Sequence, residues 1–338
     1  MQLSEQKIIL AIRTHDHGYV HLKRPGRPVR ILKSITVIFL MPGLLFGLVL
    51  WKLDYIYEVA LFRHLAQVTP SRIEASSTRE IEETLFLLTT HQISRNLYIK
   101  GEKSPLVFLL NGFALCDQQA KTLSRLLYFR GIPSRAVPLF FDSGISNHTI
   151  LEWFDGQDWV FSDPFLHLPL NIPVPAFCAL DTQSAKTDSQ RNLIHRAYGY
   201  YATNQGLLQE LKETYTHPNH AVWDFFREKP ELRLVESILS APLELWPNGY
   251  LNLLNTAYRF RHYRTKPLMD QYILARHDEL MGHCAEALEG YRALLRKVKG
   301  EGRPKDLHFE LDREMLKWRM VANRRYCSED HAMQSYPL

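Results

Sequence analysis

The stretch Gly112–Pro164, GFALCDQQAKTLSRLLYFRGIPSRAVPLFFDSGISNHTILEWFDGQDWVFSDP, determines the fold expected for this chain. After Cys116, apolar residues recur at helical spacing until Gly131, which is typical of a helix that ends at a glycine. Two strand-like runs follow, NHTILEWF and QDWVFSD, joined by Asp155-Gly156. This dipeptide favours a tight hairpin turn. The stretch therefore predicts a helix followed by an antiparallel hairpin, and so an α+β fold.

The hairpin register predicts which side chains face each other. In a two-residue turn at Asp155-Gly156, His148 lies directly opposite Asp163 on the same face, with Cβ atoms about 5 Å apart. The next pairs on that face would be Ile150–Phe161 and Glu152–Trp159. We expect the apolar residues of this face, with Trp159, to pack against the helix that begins at Cys116.

Cys116, His148 and Asp163 form a candidate catalytic set. A thiol at a helix N-terminus faces free N–H groups and the positive end of the helix dipole, and both favour the reactive thiolate. An aspartate opposite a histidine can fix the imidazole tautomer and leave the other ring nitrogen for the sulfur. The alternatives are an inert buried cysteine and a structural strand histidine.

Three short motifs extend this pattern: FRGIPSRAV, HTILE and WVFSDP. Together with Cys116 at a helix start, they resemble the transglutaminase-like (papain-like cysteine) superfamily over residues 106–165. The resemblance implies a papain/transglutaminase-like core, in which the cysteine helix packs on a small antiparallel sheet. It also implies Cys116 as nucleophile, His148 as acid/base and Asp163 as the residue that orients His148.

The resemblance suggests roles for a few neighbouring residues. Asn111 and Gln118 are candidates for the oxyanion donor that accompanies the backbone N–H near Cys116, with Gln119 behind them; a helix cap or helix surface is the alternative. Arg135 and Glu152 match family positions and are expected to support the fold. Ile150 departs from the family, in which an aromatic residue commonly stands there.

The implied reaction is attack of the Cys116 thiolate on an amide carbonyl, followed by resolution of a thioester by water or by an amine. Hydrolysis by a peptidase or amidase is slightly favoured over transglutaminase-type transfer. The expected substrate is a peptide or protein amide, and no metal or cofactor is expected. The alternative from another class is a non-catalytic membrane-anchored scaffold or binding module on the same fold.

The N-terminal region predicts a membrane anchor. Ser34–Trp51 carries no charge and would reach about 27 Å as a helix, close to the thickness of a bilayer core. Residues 1–34 hold seven Lys or Arg and two Asp or Glu, which accounts for the net charge of +5 of the whole chain. Because the excess charge is confined to this tail, the composition does not indicate a nucleic-acid-binding surface.

The flanking charges predict the orientation of this anchor. The positive-inside rule keeps residues 1–33 cytoplasmic and places the chain after residue 53 outside, which in a bacterium is the periplasm, with the anchor in the inner membrane. A buried core helix, encouraged by Pro42-Gly43, is the alternative, and it would make the chain a cytosolic enzyme. A cleaved signal peptide is disfavoured because no small-residue cleavage site follows.

The rest of the chain is expected to be helical around the core. The expected regions are a basic tail (1–33), a signal anchor (34–53), a helical connector (54–105), the catalytic core (106–180) and a helical C-terminal region (181–338). Ser77 or Thr78 is expected to cap a connector helix, with Glu80 and Glu82 in its first turn. No C-x-x-C pair exists, and an extracytoplasmic location would permit a disulfide among Cys178, Cys284 and Cys327.

Within the C-terminal region, residues 268–298 resemble a single tetratricopeptide-like helix pair. Gly282 is expected at the helix crossing, with apolar residues packed between the helices: Ala285, Ala287 and Leu288. An ordinary antiparallel helix pair is the alternative, since such repeats stabilise by stacking in threes or more. The region is expected to form a helical cap or a surface that binds a protein partner.

Overall fold

A computed structural model describes residues 51–72, 74–95, 104–140, 146–179, 189–203, 206–216, 222, 226, 230–298 and 313–327. The expected basic tail and the apolar run as far as residue 50 lie outside these residues. Over the described ranges, none of the helices combines the length and apolarity that crossing a bilayer requires. The chain divides into two compact units, Met1–Lys52 and Leu53–Leu338, and the elements below belong to the second.

The second unit has an α+β fold, as predicted. Its helices are α1 (Leu53–Arg72), α2 (Thr78–Gln92), α3 (Pro105–Asn111), α4 (Cys116–Phe129), α5 (Val174–Cys178), α6 (Ser189–Thr203), α7 (Leu207–Thr216), α8 (Pro230–Ser240), α9 (Pro242–Leu245), α10 (Pro247–Tyr263), α11 (Pro267–Leu280), α12 (Cys284–Lys297) and α13 (Arg313–Cys327). Its strands are β1 (Ser94–Arg95), β2 (Phe113–Ala114), β3 (Ser134–Phe140), β4 (Ser146–Phe154), β5 (Trp159–Asp163) and β6 (Leu168–Ile172). Strands β3 to β6 form an antiparallel sheet in sequence order, and β1 pairs with β2 in parallel.

The start of α2 follows its sequence signal. The Ser77 hydroxyl accepts from the Glu80 N–H, and the Glu80 carboxylate accepts from the Ser77 N–H, which confirms Ser77 as the capping residue. These bonds satisfy N–H groups that the first helical turn cannot pair internally. Glu82 is fully buried instead, where its carboxyl group accepts from the Ser162 hydroxyl at 2.8 Å.

The β4–β5 hairpin is present, but the predicted register is wrong by two residues. Glu152 pairs with Phe161, and Phe154 pairs with Trp159. The reason is an Asx turn: Asp155 Oδ1 accepts from the N–H groups of Gln157 and Asp158, both at 2.8 Å. The turn is thereby centred on Gly156-Gln157. Because side chains alternate with a period of two, His148 and Asp163 still lie on the same face.

The two faces of the sheet are covered by different elements. Leu151, Trp153 and Val160 join the main core cluster, which includes the apolar side of α4. Ile150 and Phe161 belong to a second cluster, built with α5, α6 and α7. The expectation that these two residues pack against α4 is therefore wrong, because alternation places them on the opposite face from the residues that contact this helix.

The C-terminal helices belong to the main core. Helix α10 packs on α1, and α11 packs on α12 and on α3. At the α11–α12 crossing, Gly290 rather than Gly282 provides the close approach, since a Cβ there would lie 2.9 Å from the Cβ of Ala275. Gly282 lies instead in the connecting turn, with φ of +80°. Ala287 is buried as expected, whereas Ala285 is exposed.

A buried polar cluster joins these helices to the centre of the fold. Arg276 of α11 and Arg319 of α13 both pair with Glu279, and all three side chains are fully buried. Arg276 donates to the Leu109 carbonyl at 2.6 Å and to the Gln92 carbonyl at 3.0 Å. The cluster therefore supplies donors to carbonyls at the ends of α2 and α3, which precede the segment that leads to Cys116.

Candidate active site

Asp163 lies at the end of β5 and accepts three hydrogen bonds. Its Oδ2 atom accepts from His148 Nε2 at 2.6 Å and from the Tyr201 hydroxyl at 2.5 Å, and Oδ1 accepts from the Leu166 N–H at 3.0 Å. Burial alone would raise the pKa of Asp163, but the His148 charge and these donors hold that pKa below its usual range. The side chain is therefore a fully buried, ionised acceptor.

His148 lies on β4 with one ring nitrogen committed to Asp163. Its side chain is also hydrogen-bonded to Cys116, so the bond to Asp163 through Nε2 leaves Nδ1 for the sulfur. Burial would lower the pKa of His148, but the Asp163 carboxylate and the hydrogen bonds with Asp163 and Cys116 raise it to about 10. At neutral pH the ring is therefore an imidazolium, which can donate from both nitrogens.

Cys116 is the first residue of α4 and a half-buried free thiol. Leu115 precedes the helix in extended conformation, and its N–H donates to Gln118 Oε1 at 3.0 Å. The local sequence thus caps the helix one residue before the thiol. The structure brings all three predicted residues together: Cys116 contacts His148, and His148 contacts Asp163.

The oxyanion candidates Asn111, Gln118 and Gln119 lie close to Cys116 in the sequence, and each makes a hydrogen bond within the fold. Asn111 ends α3, and its backbone carbonyl accepts from the Tyr272 hydroxyl at 2.7 Å. The Gln118 side-chain oxygen caps α4, and Gln119 Nε2 donates to the Ala114 carbonyl at 3.3 Å. The side-chain oxygen of Gln118 and one side-chain N–H of Gln119 are therefore already hydrogen-bonded at the start of α4.

Tyr201 and Phe165 belong to the site but were not predicted from the sequence. Tyr201 comes from α6, 38 residues after Asp163, and burial and the nearby carboxylate raise its pKa well above the ordinary value, so it stays a donor. The Phe165 ring lies 5.9 Å from the His148 ring, centre to centre. The hydrophobic spacing of residues 190–215 predicts a helix there, but not which residue faces Asp163.

Arg135 and Glu152 form a second polar group on the sheet. Arg135 Nε donates to Glu152 Oε2 at 2.7 Å, and the guanidinium carbon lies 4.1 Å from the centre of the Trp159 ring. Glu152 is buried and Arg135 is partly exposed. The contacts of this pair join neighbouring strands, which agrees with the supporting role expected from the sequence.

Buried ion pairs hold α4, the helix that carries Cys116. Arg125 lies 3.2 Å from Glu58 of α1 and 2.8 Å from Glu236 of α8, and all three side chains are buried. At the other side of Cys116, Gly112 ends α3 with φ of +76°, and a Cβ there would meet Gln92, Tyr272 and Arg276 at 3.4 Å each. The segment carrying the thiol is thus fixed on both sides.

The part of the chain that the structure describes holds no group of three or more His, Cys, Asp or Glu side chains arranged to bind a metal ion. The candidate site itself holds a thiol, an imidazole and a carboxylate in hydrogen-bonded sequence. Comparison of the chain with protein-family models, with curated proteins and with solved structures gives no match.

Proposed function

We propose that the protein is a transglutaminase-like cysteine enzyme that performs acyl chemistry on amide substrates through a thioester. The observation that carries the proposal is the hydrogen-bonded series Cys116, His148, Asp163, in which a thiol at a helix N-terminus contacts an imidazolium. A helix N-terminus and a nearby imidazolium both favour the thiolate, which is the nucleophilic form of cysteine.

In this mechanism the Cys116 thiolate attacks the amide carbonyl carbon, and a tetrahedral oxyanion forms. The His148 imidazolium gives its Nδ1 proton to the departing amine, and the C–N bond breaks to leave a thioester on Cys116. The neutral imidazole then takes a proton from water or from an acceptor amine, whose attack releases the acyl group and restores the thiolate. Asp163 keeps its bond to Nε2 throughout and orients the ring.

Hydrolysis is favoured slightly over transfer, and the substrate class is a peptide or protein amide. We further propose that residues 34–53 anchor the enzyme in the bacterial inner membrane with the catalytic region in the periplasm. Cys284 is disulfide-bonded, and disulfides persist in oxidising compartments, which supports this location. The helical C-terminal region is proposed to add a surface for a protein partner.

The test compares two cysteines that the structure describes as free thiols, Cys116 and Cys178. Cys116 and Cys178 are both half-buried, but burial raises the pKa of Cys178, which is not part of the hydrogen-bonded series. With iodoacetamide at pH 7, we expect Cys116 to react at least about tenfold faster than Cys178, as measured by mass spectrometry of the labelled peptides.

The variant His148→Gln is expected to slow alkylation of Cys116 and to leave Cys178 unaffected. Equal rates for the two thiols in the wild-type protein would contradict the proposed nucleophile. To separate hydrolysis from transfer, the proteins of cells with wild-type enzyme and with Cys116→Ser are compared: new termini indicate hydrolysis, and new isopeptide or amide cross-links indicate transfer.

A further inference from the structure

The start of α8 lies beside the start of α1. The Tyr55 hydroxyl, in the first turn of α1, donates to Glu236 Oε1 at 3.0 Å. Further along α1, the Arg63 guanidinium donates to the hydroxyl of Ser240, the last residue of α8. Because the contacts advance along both helices together, α8 runs in the same general direction as α1, and the two helices begin at the same end.

Helix α10 runs in the opposite direction along α1. His262, in the last turn of α10, is bonded through Nε2 to Asp54 Oδ1 at 2.9 Å. Earlier in α10, Asn255 Oδ1 accepts from the Tyr57 hydroxyl at 3.3 Å. The end of α10 therefore lies beside the start of α1, and the turn that leads to α11 follows directly.

Large apolar side chains are exposed at this end of the unit. Leu232 and Leu234, in the first two turns of α8, are 43% and 64% exposed, and Phe260 near the end of α10 is 67% exposed. Contact of such side chains with water is unfavourable. A group of them at one end of a fold, unlike scattered single residues, indicates an interaction surface.

Cations accompany these apolar side chains. Arg264 and Lys266 are exposed in the turn after α10. The guanidinium carbon of Arg264 lies 5.9 Å from the centre of the Phe260 ring. Helix α10 and this turn, residues 247–266, contain no Asp or Glu. The surface therefore suits a partner that is both apolar and anionic.

The place of this surface in the chain indicates which partner it meets. Helix α1 begins at Leu53, and the apolar run that is proposed to span the membrane ends at Trp51. With that run in the membrane, the start of α1 is held within a few residues of the bilayer by the chain itself. Aromatic, aliphatic and basic side chains together are typical of protein surfaces that lie on a bilayer.

We propose that the surface formed by Leu232, Leu234, Phe260, Arg264 and Lys266 docks on the anionic lipid surface of the membrane. The apolar side chains enter the boundary between headgroups and acyl chains, and the two cations bind lipid phosphates. The docked unit is thereby held against the bilayer. This inference rests on the membrane anchor proposed above and does not depend on the cysteine chemistry.

The test is photo-crosslinking of the purified full-length protein in vesicles of phosphatidylcholine and phosphatidylglycerol. Phe260 is replaced by the photoreactive residue p-benzoylphenylalanine, and the control protein carries that residue in place of Leu245. Leu245 is 91% exposed in α9, which follows the far end of α8. Mass spectrometry measures the share of the irradiated protein that carries a lipid. We expect at least about fivefold more lipid adduct at position 260 than at position 245.

Two further comparisons test the role of charge. In the protein that is photoreactive at position 260, Arg264→Gln combined with Lys266→Gln should lower the yield of lipid adduct about fivefold. Arg292→Gln, on an exposed part of α12, is the matched control and should keep the yield unchanged. Vesicles of phosphatidylcholine alone should lower the yield in the same way, and this comparison needs no further substitution.

Equal lipid adduct at positions 260 and 245, or none at position 260, overturns the inference. A cross-link from position 260 to another segment of the chain, or to a second copy, would assign the surface to protein and overturns it too. An unchanged yield without the cations and without phosphatidylglycerol overturns the anionic lipid as partner. If the protein does not float with the vesicles, the proposed anchor fails, and this inference fails with it. Absence of amide turnover would count against the proposed enzyme alone, because the cross-linking needs no substrate.

Discussion

Asp163 shows how one buried carboxylate can organise a site. Three donors from three segments converge on it: the imidazole from β4, a backbone N–H from the turn after β5 and the Tyr201 hydroxyl from α6. Each bond favours the charged form of the carboxylate, and together they outweigh its burial. The orientation of His148 therefore depends on residues beyond the predicted set of three.

At the scale of single residues, we predict that Tyr201→Phe lowers the proposed activity. The substitution removes a donor to a buried charge, a bond of about 1.5–3 kcal/mol, so kcat should fall by about tenfold to a hundredfold. Steady-state kinetics on an amide substrate measures this. Tyr198→Phe is the control, because Tyr198 lies on the same helix as Tyr201 and packs on Phe177 of α5. Unchanged kcat in Tyr201→Phe would show that His148 and the Leu166 N–H suffice to hold Asp163.

At the scale of elements, α4 positions the thiol because the helix is held along its length. Its apolar side joins the main core, and its one deeply buried cation, Arg125, lies between carboxylates of α1 and α8. Buried pairs of this kind have exacting geometry, because a misplaced charge would be left without compensation. The helix therefore has a fixed position along its own axis, and so does the sulfur at its end.

We predict that Arg125→Met destabilises the protein. Removing the guanidinium leaves Glu58 and Glu236 buried without the ion pairs that Arg125 makes with them, and the free energy of unfolding should fall by about 3–5 kcal/mol. Urea denaturation followed by circular dichroism measures the change. Arg130→Met, at the exposed end of the same helix, is the control. Adding Glu58→Gln and Glu236→Gln to Arg125→Met should restore part of the lost free energy of unfolding. If it restores none, the loss comes from the packing of the Arg125 side chain and not from its charge.

The elements were largely predictable from local sequence, whereas their contacts were not. The capping box at Ser77, the start of α4 at Cys116 and the β4–β5 hairpin each depend on residues close together in the chain, and each is confirmed. The predicted β4–β5 register was wrong because hydrogen bonds to the Asp155 side chain centre the turn on Gly156-Gln157 instead of on Asp155-Gly156. Tyr201 was missed because helical periodicity does not specify long-range neighbours.

At the scale of the whole molecule, the compact unit Leu53–Leu338 depends on buried charges as well as on apolar packing. The Arg276–Glu279–Arg319 cluster lies among α11, α13 and the ends of α2 and α3. The expected helical cap is therefore continuous with the core. Arg276 of α11 donates hydrogen bonds to the backbone carbonyls of Gln92 and Leu109, which lie at the ends of α2 and α3. Among the described residues, the surface proposed for a protein partner would lie on the outer side of these helices.

We predict that the C-terminal helices and the site unfold together. Arg276→Met should lower the free energy of unfolding by about 3–5 kcal/mol, because Glu279 and the Leu109 carbonyl lose a buried partner. In a urea series, near-ultraviolet circular dichroism and alkylation of Cys116 should report the same midpoint, displaced equally by the substitution. Arg292→Met, exposed on α12, is the control. Two separate midpoints would contradict a single cooperative unit.

The close approach at Gly112 has a consequence for how this chain can change. Gly112 has left-handed backbone geometry, and a Cβ at this position would lie 3.4 Å from atoms of Gln92, Tyr272 and Arg276, so a larger residue there would be strained and crowded. Removal of the C-terminal helices, by recombination or proteolysis, would remove two of these three neighbours, Tyr272 and Arg276 of α11. The C-terminal helices and the segment that carries Cys116 are therefore expected to depend on each other structurally.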